Sequence, residues 1–224
     1  MKNIIKNGGL FFFVFAAITY GYSYMNDLLV FAYISKSLVV PMLLVYYVAA
    51  TDSVNKLFIF GLIFAFCGNL VLFSSSQISF ILSMACALFF LLIHMVLIAN
   101  LIGTIKTTTF LKISIPLMCV IILSIYFIFN NENQIEVLFY VFGGVLGIYI
   151  AFSYYLFRKR ESNAAFLNLI GVLFFLMYCF FKGFEVTQNS KGVYSIVALT
   201  LYPIFLFLIT KAFATIDRED ETNT

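Results

Sequence analysis

Residues 78–102, ISFILSMACALFFLLIHMVLIANLI, form an apolar segment without Asp, Glu, Lys or Arg. As an α-helix with a rise of about 1.5 Å per residue, this segment is long enough to cross the ~30 Å hydrocarbon core of a bilayer. The whole chain has the same character, because it is 63% hydrophobic and 10% charged and contains 29 Phe. A soluble domain is about half apolar and about a quarter charged. The sequence therefore predicts an integral membrane protein.

Seven further apolar blocks accompany residues 78–102, and short polar connections separate them. None of the blocks shows the alternating hydrophobicity of a barrel strand, so helices are preferred. Short connections make consecutive helices antiparallel neighbours. We expect an all-α, polytopic membrane protein that is a single bundle over residues 1–216, with a polar tail over residues 217–224. About eight transmembrane helices are predicted, near residues 8–25, 28–50, 57–74, 78–102, 110–130, 134–157, 165–182 and 193–213.

The basic residues predict the orientation of these spans. With eight spans, most of the lysines and arginines fall on one side, from Lys2 and Lys6 to the cluster at residues 158–160. The positive-inside rule then puts both termini in the cytoplasm. No cleavage site of small residues follows the first block, so we expect a retained first span. The abundance of Phe, Ile, Asn and Lys favours a bacterial cell (inner) membrane.

Polar side chains inside the spans are the candidate site residues. An ionisable group within a span costs at least ~2.5 kcal/mol by insertion scales, so it normally faces the interior with a partner. Lys36 lies deep in its block, which favours a function, whereas Lys182 ends its block and snorkelling to the headgroups is the simpler interpretation. His94, the sole histidine, is explained equally by a site or by a bond to a neighbouring carbonyl. The same outer half of the membrane holds Asn69, Cys179, Glu185 and Tyr202.

Four segments and one tyrosine resemble the YhhN-like lysoplasmalogenases, a family of small eight-helix membrane proteins. Residues 35–44, SKSLVVPMLL, are similar to the family's Lys-Pro segment, and residues 64–72, FAFCGNLVL, to its Gly-Asp-x-x-Leu segment. Residues 89–98, FFLLIHMVLI, resemble its Phe-x-x-x-His-x-x-Tyr-Ile segment. Residues 171–179, GVLFFLMYC, resemble its Gly-x-x-x-Phe-x-x-Ser-Asp segment, and Tyr202 corresponds to a tyrosine of the last helix.

This resemblance implies a membrane-embedded hydrolase that cleaves the vinyl-ether bond of lysophospholipids without a metal or another cofactor. The family's two intramembrane aspartates are replaced here by Asn69 and Cys179, and an asparagine cannot exchange a proton near neutral pH. The catalytic positions implied by the resemblance are Asn69, Cys179 and His94. The implied lipid-binding positions are Lys36, Tyr202, Lys182 and Glu185.

Two alternatives to the hydrolase stay open. A catalytically inactive relative could bind or transport a lipid, since a phosphate and an acyl chain need only a cation and an apolar groove. A retinal-type chromophore protein would use Lys182 for a Schiff base, but Asn69 offers no counter-ion. The expected partner is a lipid or lysophospholipid in the membrane and no nucleic acid, and the oligomeric state is left open.

Overall fold

The computed structural model describes residues 2–71, 77–103, 134–188 and 192–222, and within these ranges the chain is all-helical. Six of its helices are long and apolar enough to cross a membrane, and one further apolar helix is shorter. The fold is therefore that of a multi-pass helical membrane protein, as the composition predicts. The seven helices are α1 (Lys2–Met25), α2 (Leu29–Ala50), α3 (Lys56–Val71), α4 (Gln77–Ile102), α5 (Gln134–Arg160), α6 (Asn163–Gln188) and α7 (Val193–Thr222).

The described residues thus contain seven helices where eight spans are predicted. The predicted span 110–130 lies outside the described residues, as does the end of the predicted span 57–74. Several helices exceed their predicted spans, most of all at the start of α1 at Lys2 and at the ends of α6 at Gln188 and of α7 at Thr222. Hydropathy marks only the apolar part of a helix, whereas the backbone hydrogen bonds propagate into polar sequence.

The polar connections between the apolar blocks supply helix caps. The Asn55 side chain accepts hydrogen bonds from the backbone N–H groups of Leu57, at 3.0 Å, and Phe58, at 3.3 Å, at the start of α3. Ser162 accepts one from Ala165 at 3.2 Å at the start of α6. At the end of α4, Gly103 has φ +70°, the left-handed conformation that glycine adopts most readily after a helix.

The helices form two compact units. Unit 1 comprises Met1–Ile59 and Ser162–Thr224, and unit 2 comprises Phe60–Glu161. In unit 1, α1 packs on α2 and α6 packs on α7, and α7 also contacts α1 and α2. Unit 1 therefore joins the two ends of the chain.

One end of unit 1 is held by a buried tyrosine. The Tyr47 hydroxyl donates to an Asp217 carboxylate oxygen at 2.5 Å and accepts from the Asn55 backbone N–H at 3.0 Å. The Tyr47 ring lies 4.6 Å from that of Phe58, which lies 4.8 Å from that of Phe213. These contacts join α2, α7 and the start of α3. Asp217, the first residue of the predicted polar tail, is thus part of the packed unit.

In unit 2, α3 and α4 approach closely where α3 has glycine. A Cβ on Gly61 would lie 3.0 Å from His94 Cε1, and one on Gly68 would lie 3.2 Å from Cys86 Cβ. From the first pair to the second, the residue number increases on α3, from 61 to 68, and decreases on α4, from 94 to 86. These two helices are therefore antiparallel. The helices α4 and α5 are parallel instead, because the His94 and Tyr149 rings meet at 6.2 Å and Lys159 donates to the Ile102 carbonyl.

Candidate functional site

Two lysines of unit 1 meet the same pair of tyrosines. Lys36 Nζ, from α2, lies 5.7 Å from the centroid of the Tyr20 ring. Lys182 Nζ, from α6, lies 5.9 Å from the centroid of the Tyr24 ring. The two tyrosines are one turn apart on α1, with ring centroids 6.0 Å apart. We call these four residues the lysine–tyrosine cluster.

Each member of the lysine–tyrosine cluster is half-buried. A lysine over the face of an aromatic ring gains about 0.5–2 kcal/mol, and the gain rises as water is removed. The rings therefore offset part of the cost of keeping two positive charges within apolar helices. Because the cluster is not fully buried, a ligand from the surrounding membrane can reach its charges. The arrangement is suited to an anionic group.

The predicted site residue Tyr202 belongs to an aromatic group between α6 and α7. Its ring lies 5.0 Å from that of Tyr178 and 6.3 Å from that of Phe205. Phe205 in turn stacks on Phe175 at 4.3 Å. Tyr178 precedes Lys182 by one turn, so this packing sets the position of α6 at the lysine. Tyr202 therefore contributes to the packing that positions α6 and, with it, Lys182 of the cluster.

An apolar groove of about 600 Å³ runs between α1 and α7 in unit 1. Along α1 the groove extends from Leu10 to Asn26, just past the helix end, which at ~1.5 Å per residue is about 24 Å of the ~30 Å hydrocarbon core. Polar atoms at one end come from Asn26 and Thr200. The Asn26 amide donates to the Tyr22 carbonyl at 2.8 Å, and Thr200 donates to the Ile196 carbonyl at 2.9 Å. The groove and the lysine–tyrosine cluster share α1, where the groove is lined by residues other than Tyr20 and Tyr24.

Carboxylates are scarce around this groove. The sequences of α1, of α2 and of α6 up to Lys182 contain no Asp or Glu. The side chain of Glu185, the predicted acid, lies outside the described part of α6. Cys179, the residue at the second aspartate position, is a half-buried free thiol. The helices α1, α2 and α6 up to Lys182 therefore offer cations and hydroxyl groups but no carboxylate. The Asp217 carboxylate, at the end of the apolar part of α7, accepts from the Tyr47 hydroxyl.

His94 lies in unit 2 and is fully buried. Its Nδ1 lies 2.8 Å from the Phe90 carbonyl oxygen. A carbonyl only accepts hydrogen bonds, so Nδ1 carries the proton and donates it. Gly61 of α3 packs against the His94 ring, and a larger residue at this position would collide with the ring. This is the carbonyl bond that the simpler of the two sequence-based interpretations expects.

Asn69 is also in unit 2, but it is distant from His94. It lies eight residues beyond Gly61 on α3, and therefore about 12 Å along the helix from the point where α3 contacts His94. Asn69 is 5% exposed, and its Nδ2 has no hydrogen-bond partner among the described residues. The structure thus brings Lys36, Lys182 and α1 together, and it separates the two candidates of unit 2.

The aromatic members of the cluster, Tyr20 and Tyr24, are not predicted from the sequence. Tyr20 and Tyr24 are spaced by one turn near the end of the first apolar block, and such a spacing marks one helix face. Tyrosines are also common at membrane interfaces, so the spacing alone is a weak signal. The signal that finds these residues is the pairing of each ring with a lysine from another helix.

Comparison of the chain with known protein families, with curated proteins and with solved structures finds no match. The class of protein therefore rests on the fold and on the site, and it is that of a multi-pass helical membrane protein. The resemblance to the YhhN-like lysoplasmalogenases stays a prediction.

Proposed function

We propose that this membrane protein binds a lipid with a phosphate headgroup, a lysophospholipid in the first instance, through unit 1. The observation that carries the proposal is the convergence of Lys36 and Lys182 on the Tyr20–Tyr24 face of α1, a helix that also borders an apolar groove. Lipid sites combine apolar walls with a few placed polar groups. The lysine–tyrosine cluster would hold the phosphate, and the groove would hold the hydrocarbon chain.

The positive charge of the two lysines supports an anionic ligand. Charged groups within membrane-spanning helices commonly mark ligand or ion sites, and a phosphate has the charge opposite to that of lysine. Charge-assisted hydrogen bonds to phosphate are among the stronger polar contacts in proteins. The tyrosines shape the site without neutralising it, because a ring face carries no net charge.

Hydrolysis of the vinyl-ether bond of a lysophospholipid is the second candidate function. It is favoured by the resemblance of the segments around Lys36, Asn69 and His94 to those of the YhhN-like family. Such hydrolysis requires a group that protonates the substrate. Asn69 cannot supply this proton, so Cys179, His94 or Glu185 would have to do so. We therefore place binding before hydrolysis.

We also propose eight spans with both termini in the cytoplasm, in a bacterial inner membrane. The parallel arrangement of α4 and α5 supports this number. Two parallel spans must be separated by an odd number of crossings, and the predicted span 110–130 supplies one crossing. The positive-inside distribution and the Phe- and Ile-rich composition support the orientation and the membrane.

The binding proposal is tested by titrating the purified protein with an alkenyl lysophosphatidylethanolamine and measuring the bound fraction by native mass spectrometry. Lys36→Gln and Lys182→Gln should each weaken binding about tenfold to a hundredfold, the loss expected for one charged hydrogen bond. Lys211→Gln is the matched control, because Lys211 Nζ also lies over a ring, 5.9 Å from the Phe207 centroid, but at the other end of the groove. Equal losses in all three variants would contradict the proposed headgroup site.

The same ligand tests hydrolysis. The protein is incubated with the alkenyl lysolipid, and released fatty aldehyde is measured beside a Lys36→Ala control. Aldehyde above this control would support the hydrolase. Lipid binding without aldehyde would leave the binding proposal intact and eliminate hydrolysis. Activity created by Asn69→Asp alone would indicate a relative that has lost its catalytic acid.

A further inference from the structure

Unit 2 contains two buried hydroxyl groups that the proposed function does not use. Tyr149 and Ser153 lie one turn apart on α5, and both residues are fully buried. Neither the Tyr149 hydroxyl nor the Ser153 Oγ has a hydrogen-bond partner among the residues that the structure describes. A buried hydroxyl without a partner costs about 1–3 kcal/mol, and native proteins rarely keep one.

Ser153 differs from several hydroxyl residues in the described helices, although Ser195 at the start of α7 also has no hydrogen-bond partner among the described residues. Ser35, Thr200, Thr210 and Thr215 each donate to the carbonyl of the residue four positions earlier. This local bond is the usual solution for serine and threonine within a helix. Ser153 does not make it, so its hydroxyl is available to a group outside its own helix turn.

His94 provides the third polar side chain of this region. Its ring meets the Tyr149 ring at 6.2 Å in an edge-on arrangement, with 67° between the ring planes. Residues four apart share a helix face, so Ser153 lies on the same face of α5 as Tyr149. Nδ1 keeps its proton and donates it to the Phe90 carbonyl, so Nε2 is the acceptor nitrogen of the neutral ring. Donors and acceptors are therefore gathered between α4 and α5.

We propose that unit 2 holds internal water between Tyr149, Ser153 and His94. Water suits the site because it donates and accepts, and a buried water typically makes about three hydrogen bonds to polar groups that would otherwise be unsatisfied. Ordered water is also one of the ways in which membrane bundles satisfy polar groups within the bilayer. The site is separate from the lysine–tyrosine cluster, and it takes water where that cluster takes a lipid.

The single histidine of the chain makes the test specific. Protein labelled with ¹⁵N-histidine is placed in lipid vesicles, and the transfer of magnetisation from water protons to the ring nitrogens is measured by solid-state NMR. The expected result is transfer to the His94 ring although this residue is 0% exposed. The transfer should be lost in the double variant Tyr149→Phe, Ser153→Ala. Absence of transfer in the wild-type protein would overturn the proposal.

Thermal unfolding provides a second measurement. If water bridges the hydroxyl groups, Tyr149→Phe and Ser153→Ala should each lower Tm, because each removes a satisfied bond. If the hydroxyl groups are without water, their removal relieves a buried polar group and Tm should rise, which would contradict the proposal. Tyr154→Phe is the matched control, because Tyr154 is a neighbouring tyrosine of α5 that is 55% exposed. In this variant the magnetisation transfer to the His94 ring and Tm should both equal the wild-type values.

Discussion

Both units carry polar side chains inside apolar helices, but the side chains differ in exposure. The lysines and tyrosines of the cluster in unit 1 are half-buried, and the two tyrosines lie on α1, which borders the groove. In unit 2, His94, Tyr149 and Ser153 are fully buried. A half-buried cation can be satisfied by a molecule that arrives from the membrane, whereas a fully buried hydroxyl depends on internal partners. The degree of burial therefore separates the proposed ligand site from the proposed internal water site.

The His94 region of unit 2 and the groove of unit 1 also differ in the space around a glycine, and glycine substitutions test this difference most strongly. Gly61→Ala should destabilise the protein by about 1–3 kcal/mol, because the added Cβ meets the His94 ring at 3.0 Å and that ring is held by the Phe90 carbonyl. Gly21→Ala should be neutral or should stabilise the protein by up to about 1 kcal/mol, because Gly21 lines the groove and has no atom within 4 Å of the added Cβ.

Thermal unfolding of the two glycine variants in lipid nanodiscs measures this contrast. A Gly61→Ala variant as stable as the wild type would show that the side chains around His94 shift easily, and the described difference between the two glycine sites would then be wrong. Loss of stability in Gly21→Ala would indicate that the groove is narrower than described.

A smaller effect is expected where an aromatic ring supports a lysine. Tyr20→Leu removes the ring face beneath Lys36 and should weaken binding of the alkenyl lysolipid about twofold to fivefold, the equivalent of about 0.5–1 kcal/mol. Tyr20→Phe retains the ring and should bind like the wild type. If Tyr20→Phe weakens binding as much as Tyr20→Leu, the Tyr20 hydroxyl group contributes to lipid binding and the ring face does not.

The smallest effects concern lysines at the helix ends. Lys159 donates to the Ile102 carbonyl at the end of α4, where a cation is favourable, so Lys159→Met should cost about 0.3–1 kcal/mol in the free energy of unfolding. Lys2 pairs with Asp52, but the two side chains are 63% and 75% exposed. Exposed pairs contribute little, so Lys2→Met should leave the unfolding midpoint nearly unchanged. A larger loss for Lys2→Met than for Lys159→Met would reverse this ranking.

The helices could be predicted well wherever the apolar run coincides with the helix. The predicted spans 28–50 and 78–102 differ by one residue from α2 and α4. The polar ends of α1 and α7 could not be predicted, because residues such as Asp217 continue a helix that hydropathy no longer marks. Asp217 also needs its bond to Tyr47, a residue 170 positions earlier in the chain.

The candidate site could be predicted only in part. Lys36 is conspicuous because a charge inside an apolar block is rare and costly. Tyr20, Tyr149 and Ser153 are not conspicuous, because aromatic and hydroxyl residues are common in membrane helices and their role depends on what lies opposite. The position of Lys182 at the end of an apolar block favours snorkelling to the headgroups. In the structure its Nζ lies near the Tyr24 ring, one helix turn from the ring that Lys36 contacts.

By itself the sequence determined that this chain is a helical membrane protein and that Lys36 is its most unusual polar residue. Hydropathy and charge depend on residue type alone, so both can be read from the linear sequence. Only the tertiary structure decided that α1 and α2 pack in one unit with α6 and α7, that two lysines share a tyrosine pair, and that the hydroxyl groups near His94 are fully buried. Burial and contact arise when distant segments pack together, and residue type alone does not specify which face of a helix will be covered.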